Sequence, residues 1–296
     1  MDFRQIEAFI KVVELASFSK AAEELHVSQP SISHYITTLE KELDVLLINR
    51  STKVWSVTLA GERFLTKAKE IMSLKRESIE TLQNLSDDVK GNIRLMASSV
   101  PAVYMLPAKM ALFHHQYPGV TFAVSQGDTL EVVRGIAAGK ADIGFTGSML
   151  KDKNCEFYEY ENERLMFIAP NNGEYSEQRA YSPEELLCNN CFIARELGSG
   201  TRIQYEKYLT ENDIDPESIT TCAYMDSTSG IVNAVINGLG VSIVSELAAR
   251  QALELKLIIP IKLTRELPER KIYTVLNKNI VHSHITKLFI EFIKPL

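Results

Sequence analysis

From about Ala60 to Asp88 the chain carries no proline, and no glycine after Gly61, so one long uninterrupted helix is the natural reading. Leu65, Met72 and Ile79 recur at every seventh position along it. Ala68, Leu82 and Val89 lie on the neighbouring stripe, which Lys75 interrupts. A lone helix of that length cannot cover its own apolar seam, so it needs a partner. Dimerisation through the seam is the expectation, and packing on its own domain the alternative. The helix also divides the chain into a head over residues 1–60, a linker over 61–90 and a larger body over 91–296.

The head reads as a compact helical unit. Phe3, Ile6, Ile10 and Val13 sit at helical spacing, and Lys20–Leu25 forms a short helix with Ala21, Ala22 and Leu25 facing inward. His26-Val27 breaks that period. Ser28 is a good N-cap, and Pro30 is tolerated in a first helical turn, where its missing N–H costs nothing. Ile32, Ile36 and Leu39 then carry a third helix over about 29–42. Two short helices joined by a tight turn make a helix-turn-helix. Between Leu46 and Leu59 short extended pieces suit a two-stranded wing.

Past Lys90-Gly91 strands and helices alternate, which predicts parallel-rich sheets with helices on their faces. The strands are Ile93–Ala97, Val120–Val124, Ile143–Thr146, Leu165–Ala169, Phe192–Ala194, Thr220–Tyr224, Val241–Val244, Leu257–Ile261 and Ile272–Leu276. They divide into one lobe over 91–165 and 267–296 and another over 166–266, with a ligand cleft between them.

Composition excludes some classes. The chain has 296 residues, a net charge of −6 and four cysteines. That acidity argues against a non-specific nucleic-acid coat or a polybasic membrane binder, and four cysteines in this length are no disulfide scaffold. No apolar run is long enough to span a bilayer, and the N-terminus lacks a secretion signal, so a cytoplasmic protein without a membrane partner is expected.

The stretch Phe18-Ser19-Lys20-Ala21-Ala22-Glu23-Glu24-Leu25-His26-Val27-Ser28-Gln29-Pro30-Ser31-Ile32-Ser33 resembles the helix-turn-helix of LysR-type transcriptional regulators almost residue for residue. Leu39-Glu40-Lys41-Glu42-Leu43, Arg50-Ser51-Thr52 and Thr58-Leu59-Ala60-Gly61 follow at that family's spacing. Leu106-Pro107, Tyr117-Pro118, Asp142-Ile143 and Gly238-Leu239-Gly240-Val241-Ser242 extend the likeness through the body. Ile48 departs from the phenylalanine many members carry there. The resemblance implies an α/β protein with an N-terminal winged helix-turn-helix, a long linker helix and a two-lobed effector domain like a periplasmic binding protein. It implies control of transcription at double-stranded promoter DNA, gated by a small-molecule effector. A homodimer or homotetramer and a contact with RNA polymerase are the partners it implies. Asp2-Phe3-Arg4-Gln5, Ser98-Ser99-Val100-Pro101 and Arg195-Glu196-Leu197-Gly198-Ser199-Gly200-Thr201-Arg202 look closest to the regulators of sulfur and selenium metabolism.

A recognition helix presents its N-terminal residues to base edges and phosphates. Here these are Ser28, Gln29, Pro30, Ser31, Ser33 and His34, with Arg50 and Lys53 of the wing as phosphate or minor-groove contacts. Gln29 can pair two-pronged with adenine, and Pro30 can lie against a thymine methyl. In the body, Gly198-Ser199-Gly200-Thr201-Arg202 follows a strand and opens a helix. Glycine-freed N–H groups, two hydroxyls and a guanidinium there form an oxyanion cradle. Ser98, Ser99, Gly127, Ser148 and Ser227 fall on the same rim, while Asp128-x-x-Glu131 fits a capping box. Glu196 would repel an anion if it turned inward. Cys188-x-x-Cys191 has no second ligand pair, so a reversible disulfide suits it better than zinc. No metal site, cofactor motif or catalytic constellation can be assigned, and an enzyme is not expected.

Overall fold

Each of the first three helices begins on a side-chain cap that the sequence supplies. The protein, described as a computed structural model over residues 1–49, 55–83 and 89–294, forms two compact units. One is Met1–Asp87 with Lys278–Lys287, the other Asp88–Asn277 with Leu288–Leu296. In the first unit Asp2 and Gln5 form a reciprocal capping box for α1 (Phe3–Leu15), Ser17 caps α2 (Phe18–Glu24), and Ser28 caps α3 (Gln29–Leu43). The turn between α2 and α3 passes through His26 at φ 54°, and the Val27 N–H returns to the Ala22 carbonyl at 3.0 Å. The apolar stripes of the three helices meet in one core around Phe9, Ile32, Ile36 and Leu39, all fully buried.

The wing is β1 (Ile48–Asn49) paired antiparallel with β2 (Ser56–Val57). Its entry is held by Glu40, a buried carboxylate in α3 that accepts the N–H groups of Leu47 at 2.9 Å and Ile48 at 3.0 Å. Ile48 is buried in the same core, so the substitution for phenylalanine keeps the anchor. Gly61 lies so close to the wing that a Cβ there would sit 2.2 Å from the Leu47 carbonyl oxygen.

The long helix, α4 (Leu59–Gln83), uses the first half of its seam within the head. Phe64 packs on Phe9 with ring centroids 5.5 Å apart, Ala68 is fully buried, and Leu65 and Met72 lie against the head core. Leu74 and Ile79 farther along remain 47% exposed. The seam therefore serves packing on its own domain first. The expected extension from Gln83 to Asp88 lies outside the described residues.

The second unit begins β3 (Lys90–Ala97), α5 (Leu106–Gln116), β4 (Gly119–Gln126), α6 (Thr129–Ala137), β5 (Ile143–Thr146), β6 (Cys155–Glu163) and β7 (Leu165–Pro170). It continues β8 (Ala180–Tyr181), α7 (Pro183–Asn189), β9 (Phe192–Arg195), α8 (Gly200–Glu211), β10 (Thr221–Met225), α9 (Thr228–Ile236) and β11 (Ser242–Ser245). Then follow α10 (Glu246–Glu254), β12 (Ile258–Leu263), β13 (Arg270–Asn277) and α11 (His284–Ile293). One five-stranded sheet has the order β4-β3-β5-β13-β6, and a second has β11-β7-β12-β8, beside the parallel pair β10-β9. The second sheet departs from the parallel expectation, since β11 and β12 both run antiparallel to β7. In the first sheet β3 is parallel to β4 and β5, but the returning strand β13 is antiparallel to both its neighbours. Strands β6 and β8 and helices α7 and α10 are additions to the predicted elements. Glutamates at 156, 159, 161 and 163 break up the apolar signal of β6.

Replacing Glu40 by alanine leaves two buried wing N–H groups without an acceptor. It should lower the stability of the head by about 2–3 kcal/mol. Trp55, the one tryptophan, packs against that core, so denaturant unfolding followed by its fluorescence reads the loss. An unchanged midpoint would contradict the role given to Glu40.

Candidate functional site

Two faces bring the sequence-predicted residues together. On the head, Ser28 caps α3 by accepting the Ser31 N–H at 3.3 Å, and its hydroxyl also meets the Ser31 hydroxyl at 2.8 Å. Gln29 Nε2 donates to Ser33 Oγ at 3.2 Å, one helical turn on. Ser28, Gln29, Pro30 and His34 are exposed, and Ser31 and Ser33 half-buried, while Ile32 and Ile36 hold the opposite side in the core. The N-terminal turn of α3 thus offers amide and hydroxyl groups outward from a fixed backbone. Those groups can reach base edges and phosphates, and the helix end favours negative charge. Arg50 and Lys53 lie outside the described residues.

In the second unit, loops from the two sheets enclose a narrow cleft with a cavity volume of about 10 Å³. Ser98, Ser99, Gly127, Asp128, Thr129 and Gly147 line it from one side, with Arg270. Arg195, Glu196, Ser199, Gly200 and Thr201 line it from the other. These are mostly loops at the carboxyl ends of strands, where open sheets bind ligands. As it stands the cleft has room for about one water, so an oxyanion enters only if the two rims part, and a cofactor is far too large.

Two arginines, each only 4% exposed, organise the cleft. Arg195 lies flat against Glu196, with Nε to Oε2 at 2.7 Å and Nη2 to Oε1 at 2.8 Å. Its Nη1 donates to Thr228 Oγ1 at 2.7 Å, and Nη2 also reaches the Asp226 carbonyl at 3.2 Å. Thr228 in turn meets Ser99 Oγ at 3.3 Å, which joins the two rims. Arg270 pairs through Nε with the buried Glu163 Oε2 and donates from Nη1 to Thr201 Oγ1 at 3.0 Å, a second bridge across the cleft. Gly200 permits the closest approach: a Cβ there would lie 3.1 Å from the carbonyl carbon of Gly147.

Both arginine charges are therefore matched, by Glu196 and by Glu163. Attraction for an anion falls instead on groups left open. Helix α8 has no side-chain cap on its first turn, although Ser199 occupies the cap position and is buried. Thr129 Oγ1, on the lining, is buried without a hydrogen-bond partner. Amides at a helix start with hydroxyls around them make an anion subsite without any net positive charge.

The cleft thus gathers Ser98, Ser99, Gly127, Ser199, Gly200 and Thr201. Four other predicted residues stand elsewhere. Arg202 turns away: its Nε donates to Glu206 Oε1 at 2.6 Å, one turn along α8, and its Nη1 to the Arg195 carbonyl at 3.1 Å. Ser227 caps α9 by accepting the Gly230 N–H at 3.1 Å, and its neighbour Thr228 does the bridging. Gly198 shapes the turn before α8 at φ 91°, where a Cβ would collide with the Asp128 carboxylate, but it does not line the cleft. Ser148 lies beyond Gly147 with its hydroxyl buried and unpartnered. Asp128 caps α6, as its spacing predicts. Glu196 faces an arginine, so the feared repulsion is cancelled. Arg195, Arg270, Thr129 and Thr228 were not among the candidates.

The chain matches two family models: "Bacterial regulatory helix-turn-helix protein, lysR family" over residues 3–62 and "LysR substrate binding domain" over residues 86–296. It is 33% identical over 253 residues to the HTH-type transcriptional regulator CysL of Bacillus subtilis (strain 168), covering 86% of this chain and 83% of that one. Full-length OxyR from Pseudomonas aeruginosa has the same fold, with a TM-score of 0.72 at 19% identity over 99% of this chain and 96% of that one. Full-length CbnR complexed with its target DNA gives a TM-score of 0.62 at 22% identity over 99% of each chain.

Replacing Arg270 by alanine strands Glu163 as a buried charge without a counter-ion and should cost about 3–5 kcal/mol. Removing both partners together should recover most of that loss. Arg202→Ala, which removes a half-buried pair with Glu206 and a bond to the Arg195 carbonyl but leaves no fully buried charge alone, should cost less, about 1–2 kcal/mol. Scanning calorimetry of the three variants checks the order; equal losses in Arg270→Ala and Arg202→Ala would contradict it.

Proposed function

The chain belongs to the LysR family of DNA-binding transcriptional regulators, and on that premise we propose that it is gated by a small oxyanion held between Ser99, Thr129, Ser199 and Thr201. LysR regulators bind promoter DNA and small-molecule effectors, form oligomers and are not enzymes. In this chain the head over 1–60 reads a partly palindromic promoter through Ser28, Gln29, Pro30, Ser31, Ser33 and His34, with Arg50 and Lys53 on the backbone. The linker over 61–90 joins two copies, and dimers pair into a tetramer. The body over 91–296 binds the effector between a lobe of 91–165 with 267–296 and a lobe of 166–266. Contact with RNA polymerase in the cytoplasm completes the assembly.

The observation that carries the effector reading is the buried, uncapped start of α8 facing a small cleft lined with hydroxyls. Sulfur or selenium oxyanions fit its chemistry once the rims part, and the Arg195–Thr201 motif supports that class. A ligand that meets these amides competes with the Ser99–Thr228 and Arg270–Thr201 bridges, so it binds open and closed clefts with different affinity. That difference is the requirement for a switch.

Sulfate, thiosulfate, sulfite, selenite and O-acetylserine should be compared with an unrelated carboxylate for their effect on the melting temperature of the full chain. At least one sulfur or selenium anion is expected to raise it. A rise with the carboxylate alone would sink the sulfur assignment. In gel shifts on the protein's own upstream DNA, Gln29→Ala should weaken binding about 5- to 100-fold, the worth of one two-pronged base contact. Wild-type affinity in that variant, with folding intact, would remove Gln29 from the reading face.

A further inference from the structure

The cysteine spacing in the sequence draws attention to Cys188 and Cys191, yet among the described residues the cysteine set beside Cys191 is Cys222. Cys191 immediately precedes β9, and Cys222 lies on β10, the parallel partner of β9. Their pairing is irregular at this point: Thr221 faces Phe192 and Ala223 faces Ile193, so Cys222 is an extra residue in a bulge. A bulge re-aims the side chain it carries. Here it turns the Cys222 sulfur inward, 3.4 Å from the Phe192 carbonyl and 3.7 Å from the Leu239 carbonyl, while the residue as a whole stays exposed. Cys191 is the residue before Phe192, whose carbonyl the Cys222 sulfur meets, so the strand pairing sets the two cysteines side by side. Gly240 backs on the same spot, where a Cβ would come within 3.2 Å of the Cys191 Cβ. Cys155, by contrast, is buried in the other sheet with its thiol on the Val133 carbonyl.

We propose that Cys191 and Cys222 are a reversible dithiol–disulfide site, closed by hydrogen peroxide and reopened by a small thiol, that staples β9 to β10. One thiolate attacks the peroxide, the O–O bond breaks, and water leaves with a sulfenic acid on that sulfur. The second thiol displaces the sulfenic oxygen as water and forms the S–S bond. In sum two thiols lose two hydrogens and one peroxide becomes two waters. Two equivalents of a small thiol reverse the reaction by exchange and end as their own disulfide. The staple sits at one end of a strand pair whose other end supplies Arg195 and the Asp226 carbonyl. It therefore fixes the register on which one wall of the cleft is built.

Burial, reinforced by the hydrogen bond from its neighbour, pushes the Cys222 thiol up to about 11. The raised value keeps the Cys222 thiolate scarce at neutral pH, so attack by Cys222 is slow there and quickens as pH rises from about 7 to about 9. A site of this kind responds to sustained peroxide rather than to traces.

Reduced full-length protein is treated with hydrogen peroxide, denatured, alkylated and digested, and the cross-linked peptides are identified by mass. A cross-link joining Cys191 to Cys222 is expected, lighter by two hydrogens and reversed by dithiothreitol. It should survive in Cys188→Ser and Cys155→Ser and vanish in Cys191→Ser and Cys222→Ser, and oxidised wild type should melt at a higher temperature. A cross-link joining Cys188 to Cys191 would overturn the proposal. So would four alkylatable thiols after peroxide, or loss of the cross-link in Cys188→Ser.

Discussion

The cleft of the body depends on two buried guanidinium groups. Arg195 and Arg270 each carry a full charge into a place almost closed to water, and neither could remain there alone. Each is neutralised by one carboxylate, Glu196 or Glu163, and each spends a remaining N–H on a threonine hydroxyl. The geometry of the cleft follows from that pairing. Thr228 and Thr201 are drawn toward Ser99 and Arg270, the loops of the two sheets meet, and the glycines at 147 and 200 let the backbones approach. What remains open is a helix start and a few hydroxyls, so the effector proposed for this site would be selected by hydrogen-bond direction rather than by net charge.

The head follows the same logic of placement over quantity. Residues 1–61 carry eight acidic residues (Asp2, Glu7, Glu14, Glu23, Glu24, Glu40, Glu42, Asp44) against six basic ones (Arg4, Lys11, Lys20, Lys41, Arg50, Lys53). A head that is negative overall would not be suspected of reading DNA from its charge. Several of its acids are engaged: Glu40 holds the wing entry, and Glu14 and Glu24 pair with Lys69 and Lys11. The start of α3 is left exposed. On the function proposed for this face, few phosphate ion pairs are available per head, and useful affinity would come from joining heads in an oligomer.

Sequence reading located what depends on local chemistry. Ser28, Ser17 and Asp128 are caps because the residue type and the turn that follows decide it, and Ser99, Ser199 and Thr201 reach the cleft because strand ends of such sheets converge. Arg202 was misplaced although a signal was present: Glu206 stands four residues on, on the same helical face, and captures it. Arg195 and Arg270 were missed for another reason. One ends a strand and the other begins one far along the chain in another sheet, and only the folded arrangement of both sheets brings them to opposite walls of one cleft. Likewise the Cys188–Cys191 spacing was legible, while the Cys191–Cys222 contact depends on a bulge that no local pattern announces.

The most direct test of the account is to locate the anion. Crystals of the full chain grown with selenate, read at the selenium absorption edge, should show one anomalous peak in the cleft. It should lie within hydrogen-bond reach of Ser99, Thr201 and the first amides of α8. No peak in the cleft at concentrations that stabilise the protein, or a peak only elsewhere on the surface, would contradict the account.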